Sequence, residues 1–288
     1  MKVARSPQEL GDGSRAVALG TFDGVHTGHR GVIEQALEAG PEPTVVTFDP
    51  HPRTALGNRV ELLTTLERRL ELLEELGVQA TLVVAFTLEL ARLEPEQFVE
   101  QVLRPIAAEV VVAGADFRFG HGRRGDLELV RSLGFDVRAV PLIEGVSSST
   151  IRDLVREGDV EAAAKLLGRP AEVEGTVVAG EARGGTLGFP TANLDVRPEL
   201  LVPGNGIYAG AAAGHRAAIS IGTNPHYGGH ERRVEAHLLD FSGDLYGQRL
   251  VVELWRRLRD EQAFETENDL IQQIGADVEL ARHLERPA

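Results

Sequence analysis

Between Val17 and Pro141 the chain alternates short apolar runs with stretches whose apolar residues recur at helical spacing. Val17-Ala18-Leu19, Thr44 to Phe48, Thr81 to Phe86, Val110 to Ala113 and Phe135 to Val140 read as strands. Between them, Ile33, Ala36 and Leu37 share a helical face before a Gly40-Pro41 stop, and Leu66, Leu70, Leu73 and Leu76 do the same over Thr65 to Leu76. Pro95 to Leu103 reads as a helix with proline in its first turn, and another helix falls near Leu127 to Leu133. Continuously apolar strands separated by helices predict a parallel sheet covered on both faces. The expectation for this part is therefore an α/β, doubly wound parallel-sheet domain. Ligands in such sheets bind beyond the carboxyl ends of the strands, so the loops that follow strands are where chemistry is sought.

Those loops hold the unusual residues. After the first strand comes Gly20-Thr21-Phe22-Asp23-Gly24-Val25-His26-Thr27-Gly28-His29, in which two histidines frame a glycine where a helix begins. Unpaired amides and the positive dipole end at a helix start attract anions, Gly24 and Gly28 allow close backbone approach, and two imidazoles add donors for phosphate. His-x-Gly-His alone equally describes a metal half-site or a solvated turn. After the second strand, Asp49-Pro50-His51-Pro52-Arg53 presents an acid, an imidazole and a guanidinium on a turn stiffened by prolines, or is an ordinary proline-rich turn. After the fourth, Asp116, Phe117, Arg118 and Phe119 either hold a flat ring or pack a loop. Ser147-Ser148-Ser149-Thr150-Ile151-Arg152 puts hydroxyls at a helix start and Arg152 in its first turn. Serines there suit caps, but arginine opposes the dipole, and an anionic ligand would compensate.

A chain of 288 residues is long enough for two ordinary domains. Gly168-Arg169-Pro170 is a helix stop, and the texture changes there, dividing the chain into 1–168 and 169–288. Beyond it, Glu172 to Val178, Gly206 to Gly210, Ala217 to Ile221, Val234 to Phe241 and Leu250 to Leu254 are short strands punctuated by glycine, and Glu265 to Leu284 is an amphipathic helix. Such spacing predicts a compact β-barrel or sandwich. The segment Gly180 to Asn193 carries glycines, among them Gly188, suited to close approach by phosphate. Its Thr191 and Asn193 offer neutral oxygens for a magnesium ion whose charge ATP balances, although a surface hairpin would look similar. On the strand around Val234, Glu235 and His237 face away from Val234, Ala236 and Leu238. Glu235 lies either on a solvent face or in a cleft, where it is a general-base candidate.

A net charge of −14 leaves no basic footprint for nucleic acid, so small molecules are the expected partners. Without cysteine there is no disulfide, thiolate metal site or cysteine nucleophile. Met1 to Ser6 lacks the apolar core of a signal peptide and no apolar run is long enough to span a bilayer, so a cytoplasmic protein without membrane contact is expected.

Taken together, Gly-x-Phe-Asp-Gly-Val-His-x-Gly-His, Thr-Phe-Asp-Pro-His-Pro, Gly-x-Asp-Phe-Arg-Phe-Gly and the Ser-Ser-Thr-Ile-Arg segment resemble, in order, the motifs of the bacterial FAD synthetase family, the bifunctional riboflavin kinase/FMN adenylyltransferases. Leu187 to Asn193 and Glu235 to Phe241 resemble the two hallmark motifs of riboflavin kinase domains, with Gly206 to Gly210, Ile221-Gly222-Thr223-Asn224-Pro225 and Tyr246-Gly247 also in place. The resemblance runs from about Val17 to about Ile274. It implies a nucleotidyltransferase domain followed by a β-barrel kinase domain that ends in a helix. Riboflavin and ATP would give FMN in the second, and FMN and ATP would give FAD and pyrophosphate in the first. By the same resemblance His26 and His29 serve the ATP phosphates, and Arg152, Ser148 and Ser149 the triphosphate or pyrophosphate. Asp49, His51, Asp116 and Arg118 position substrate, Glu235 takes the riboflavin 5′-hydroxyl proton, and Thr191 and Asn193 hold Mg2+. Two departures stand out: Thr150, and Gly185 in Arg183-Gly184-Gly185, where relatives commonly carry arginine. The alternatives are a chain with only the adenylyltransferase active and a flavin-binding protein without turnover.

Overall fold

Six parallel strands in the order β1-β4-β3-β2-β5-β6 form the sheet of the first compact unit, Met1–Ser147, of the computed structural model. The structure describes residues 1–180, 183–223 and 232–287, without the side chains of Arg183 and Thr186. In chain order the elements of this unit are β1 (Lys2–Ala4), α1 (Pro7–Leu10), β2 (Arg15–Leu19), α2 (Thr27–Leu37), β3 (Glu42–Asp49) and α3 (Pro52–Ala55). They continue with α4 (Leu66–Glu75), β4 (Ala80–Ala85), α5 (Pro95–Phe98), β5 (Ala108–Gly114), α6 (Leu127–Ser132) and β6 (Asp136–Val140).

Alternate residues of one strand feed two separate cores, which is what double winding means physically. Val17 and Leu19 of β2 pack with Phe98, Leu103 and Leu127, while Ala16 and Ala18 pack with Val32, Ile33, Ala36, Leu72 and Leu73 on α2 and α4. The helix expected over Pro95 to Leu103 widens after Phe98 into a π-turn, Val99–Leu103, closed by the Arg104 amide on Val99 O at 3.0 Å. The wider turn buries Val99, Val102 and Leu103 together.

The second unit, Ser148–Ala288, opens with α7 (Ser148–Glu157) and α8 (Val160–Leu167), and α8 ends on Gly168 in the left-handed region at φ 68°. It continues with β7 (Ala171–Val178), α9 (Arg183–Thr186), β8 (Ala192–Asp195), β9 (Gly206–Ala212), β10 (His215–Thr223), β11 (Arg232–Leu238), β12 (Arg249–Arg259) and α10 (Glu267–His283). The strands close into an antiparallel barrel in the order β10-β11-β8-β7-β12-β9.

Tyr208, Ile219, Val234, Ala236, Val252 and Leu254 are buried within it. At the β9–β12 crossing a Cβ on Gly210 would collide with Glu253 O, so the register-shifted corner requires glycine. The strand expected to run to Phe241 ends at Leu238, because Asp240 adopts φ 55° and turns the chain. Buried Asp277 of α10 pairs with Arg259 of β12 at 2.7 Å and fastens the helix to the barrel.

Candidate active sites

The loop from β2 to α2 has left-handed backbone at Phe22 (φ 51°), Gly24 (φ 83°) and Val25 (φ 40°). Such conformations cost on the order of 1–3 kcal/mol for residues other than glycine and persist only where surroundings enforce them. Here a buried polar network does so. Asp23 is fully buried, and its Oδ1 accepts from the amides of Leu63 (3.0 Å) and Thr64 (3.1 Å). The Gly24 amide donates to Thr64 Oγ1 at 3.1 Å. The next residue, Thr65, caps α4 by accepting from the Arg68 amide at 3.1 Å. Arg69 of α4 is buried and donates to Thr47 Oγ1 (3.3 Å) and Phe48 O (3.1 Å), while Thr47 Oγ1 donates to Thr21 O at 2.9 Å. Burial pulls the Arg69 guanidinium below its usual range, opposed by the negative charges of Asp23 and Asp49.

The network delivers two imidazoles to the start of α2. His26 is its N-cap, with Nδ1 accepting the His29 amide at 3.2 Å, and the two rings stack at 3.5 Å and 14°. Because an amide can only donate, Nδ1 of His26 is bare and the neutral ring carries its proton on Nε2. Gly28 leaves room for that ring, since a Cβ there would lie 3.2 Å from His26 Cε1. His51 repeats the device one strand away: it caps α3, and its Nδ1 accepts the Arg53 amide at 3.2 Å.

From β2 the chain winds to β3 and β4 on one side and continues with β5 and β6 on the other, so the crevice lies at the carboxyl ends of β2 and β5. The His26/His29 loop and the loop carrying Asp116 and Arg118 flank this crevice, and Asp49 ends the adjacent β3 with His51 just beyond it. Arg5 Nη1 reaches Asp49 Oδ2 at 4.0 Å. Asp116 and Arg118 are exposed, and Arg118 Nη1 donates to Phe117 O at 3.0 Å. Of the paired aromatics, Phe119 is buried against Phe98 at 5.4 Å, so it packs the loop. Ser148 and Ser149 begin α7, but Arg152, expected in the first turn, is its fifth residue and is buried. All three belong to the second unit.

In the barrel, three of the expected residues come together. Thr191 Oγ1 donates to Glu235 Oε2 at 3.2 Å, and Asn193 is the register partner of Glu235 across β8 and β11. Arg233 Nη1 stands 3.9 Å from Glu235 Oε1. Gly180 makes room for the Asn193 amide, since a Cβ there would lie 2.8 Å from Oδ1. Hard, neutral oxygens beside one carboxylate suit magnesium bound together with nucleotide phosphates. Gly188 is exposed at φ 89°, and Gly185 faces open space, so packing does not forbid an arginine there. Glu181, Ala182, Asn224, Pro225 and the Arg183 side chain lie outside the described residues. Sequence reasoning left Thr64 and Arg69 unassigned, gave Asp23 no role, and read Gly180 only as one of the glycines of its segment.

The family model described as FAD synthetase matches residues 10–151, and the one described as riboflavin kinase matches 167–285. Proteins named bifunctional riboflavin kinase/FMN adenylyltransferase are 36% identical in Listeria monocytogenes, over 95% of this chain and 93% of that one, and 35% identical in Bacillus subtilis, over 92% and 90%. The chain belongs to this bifunctional family. A solved structure named as a macrolide-efflux protein from Streptococcus pneumoniae superposes with a TM-score of 0.88 at 31% identity, covering 98% of this chain and 99% of that one. Among the described residues no helix is long and apolar enough to cross a membrane. Within the bifunctional family's layout, the His26/His29 crevice falls in the FAD synthetase match and the Thr191, Asn193 and Glu235 cluster in the riboflavin kinase match. Ser148 and Ser149 lie inside the first match, and Arg152 one residue past its end.

Proposed function

We propose that this chain converts riboflavin to FMN in its barrel and FMN to FAD in its parallel-sheet domain, using one ATP in each step. Both family models match, so a single remaining activity or a non-catalytic flavin-binding role is not favoured. The observation that carries the reading is the 3.2 Å contact between Thr191 Oγ1 and Glu235 Oε2, with Asn193 directly across the strand pair. The proximity of these three side chains supports reading Glu235 as the base and Thr191 and Asn193 as metal ligands.

In the kinase step Glu235 accepts the proton of the riboflavin 5′-hydroxyl as that oxygen bonds to the γ-phosphorus and ADP leaves. Such general-base assistance supplies roughly 10²–10⁴-fold. Thr191 and Asn193 would hold Mg2+, whose charge neutralises the phosphate oxygens when it is bound. Gly188 lets the backbone approach the nucleotide.

In the adenylyl step an FMN phosphate oxygen bonds to the α-phosphorus of ATP and pyrophosphate leaves. This needs positioning and charge stabilisation rather than a covalent nucleophile. His26 and His29 donate to the phosphates, Gly24 and Gly28 shape the loop around them, and Ser148, Ser149 and Arg152 take the triphosphate or pyrophosphate. Asp49, His51, Asp116 and Arg118 position substrate along the sheet edge. We divide the activities at Gly168, giving 1–168 and 169–288; support comes from the gap between the two family matches at 151 and 167 and from the helix stop there. Consumption of ATP in both steps supports action in the cytoplasm, and a net charge of −14 supports small-molecule partners over nucleic acid.

A time course with riboflavin, ATP and magnesium, separated by chromatography, should show FMN rising and then giving way to FAD. Glu235→Gln should abolish FMN formation while leaving FAD formation from supplied FMN, and His29→Ala should do the reverse. Equal loss of both activities in either variant refutes the division.

A further inference from the structure

The β8–β11 ladder pairs Val234 with Leu194, Glu235 with Asn193 and Ala236 with Ala192, and then stops. Phe189, Pro190 and Thr191 therefore reach the kinase site without strand pairing, yet Thr191 must place its hydroxyl against Glu235. His237, two residues beyond Glu235 on the same face of β11, supplies what the ladder lacks. Its Nδ1 lies 2.8 Å from Pro190 O, and its ring meets the Phe189 ring edge-on at 5.6 Å and 82°. Pro190 has no N–H to offer a ladder, so its carbonyl is the backbone group available for a tie.

We infer that His237 is a positioning residue of the kinase site, tying Pro190 so that Thr191 meets Glu235. The inference rests on the proposed reading of Thr191 and Glu235 as site residues. Because the carbonyl only accepts, Nδ1 of His237 carries a proton, and this holds for both the neutral ring and the cation. A donor for the tie is therefore present in either form of the ring. What matters is a donor at the Nδ1 position. Asparagine places its side-chain amide nitrogen at nearly the same reach from the backbone, glutamine places its nitrogen where Nε2 stands, and phenylalanine keeps the ring without a donor.

The test compares His237→Asn, His237→Gln and His237→Phe in the full chain. FMN formation and its magnesium titration are measured beside FAD formation from supplied FMN in the same preparations, with Thr191→Ala as the reference. The expected result is a loss of kinase kcat of about ten- to a hundredfold with a raised magnesium midpoint in the Phe and Gln variants, as displacement of a site group by about 1 Å produces. Asparagine should return both quantities to within about twofold, and FAD formation should not move. An unaltered Phe variant, or an Asn variant as impaired as Phe, overturns the positioning role. If Thr191→Ala changes neither kcat nor the magnesium midpoint, the reading of the site itself falls instead.

Discussion

Replacing Asp23 by alanine asks how much of the loop from β2 to α2 hangs on one buried carboxylate. Its Oδ1 accepts from Leu63 N at 3.0 Å, Thr64 N at 3.1 Å and Thr64 Oγ1 at 3.3 Å. A hydrogen bond to a charged group contributes about 1.5–3 kcal/mol, and a buried donor left without a partner costs about 1–3 kcal/mol. The Thr64 amide is buried and the Leu63 amide only partly so, which makes the first loss nearly full and the second partial. Together they amount to about 3–5 kcal/mol, a large share of the roughly 5–15 kcal/mol that holds a domain folded.

The chain offers a convenient pair of probes. Its one tryptophan, Trp255, lies on β12, so its emission follows the barrel, whereas far-ultraviolet circular dichroism follows both units. In urea, Asp23→Ala should shift the dichroism midpoint to lower denaturant while the tryptophan midpoint stays in place. FAD formation from supplied FMN should fall while FMN formation continues. A dichroism transition indistinguishable from the parent's would refute the idea that Asp23 anchors the strained loop.

A Cβ at Gly180 would press on the Asn193 amide, 2.8 Å from its Oδ1, so Gly180→Ala should raise the magnesium midpoint and lower FMN formation about ten- to a hundredfold without changing FAD formation; an unchanged magnesium titration would count against it. Arg282 Nη1 bonds Asp240 Oδ2 at 2.6 Å and holds that carboxyl below its ordinary range. A carboxylate with a depressed folded pKa stabilises above its unfolded value, about 3.9, and loses the contribution as pH falls through the folded value. Melting temperatures of Arg282→Ala and the parent should therefore differ at neutral pH and converge in acid; a gap that widens in acid contradicts the pairing.

Much of this architecture is written locally. The middles of β2 (Ala16 to Leu19), β3 (Val45 and Val46) and β5 (Val110 to Ala113) are apolar runs because both faces are covered, and that pattern needs only a few adjacent residues to be seen. Strand β8 is different: Ala192–Asp195 has one buried residue among its four, and it is a strand because β7 and β11 pair with it. The loops after the strands were legible as loops for a related reason, since glycine and proline after an apolar run mark turns, while their histidines stood out only by residue type. The link from Asp23 to Thr64 spans 41 positions and leaves no local trace. Arg69 is the most instructive residue. Its position, three after Leu66 and four before Leu73, puts it on the buried face, while its charge argues for solvent. Periodicity won because Thr47 Oγ1 and Phe48 O wait inside to receive the guanidinium.

The two sites fix their donors by opposite means. In the sheet domain the imidazoles are themselves helix caps: His26 Nδ1 is committed to the His29 amide and His51 Nδ1 to the Arg53 amide. Each cap fixes a tautomer, so in the neutral rings the proton sits on Nε2, the nitrogen the cap does not use. Protonating Nδ1 would break the cap that aims the ring, because a protonated Nδ1 has no lone pair for the amide. In the barrel the order is reversed. His237 keeps its proton on Nδ1 to grip Pro190, and the ring's role is spent on the backbone rather than on a substrate. One residue type thus caps helices in the first domain and clamps backbone in the second, and which nitrogen holds the proton follows from whether its neighbour is an amide or a carbonyl.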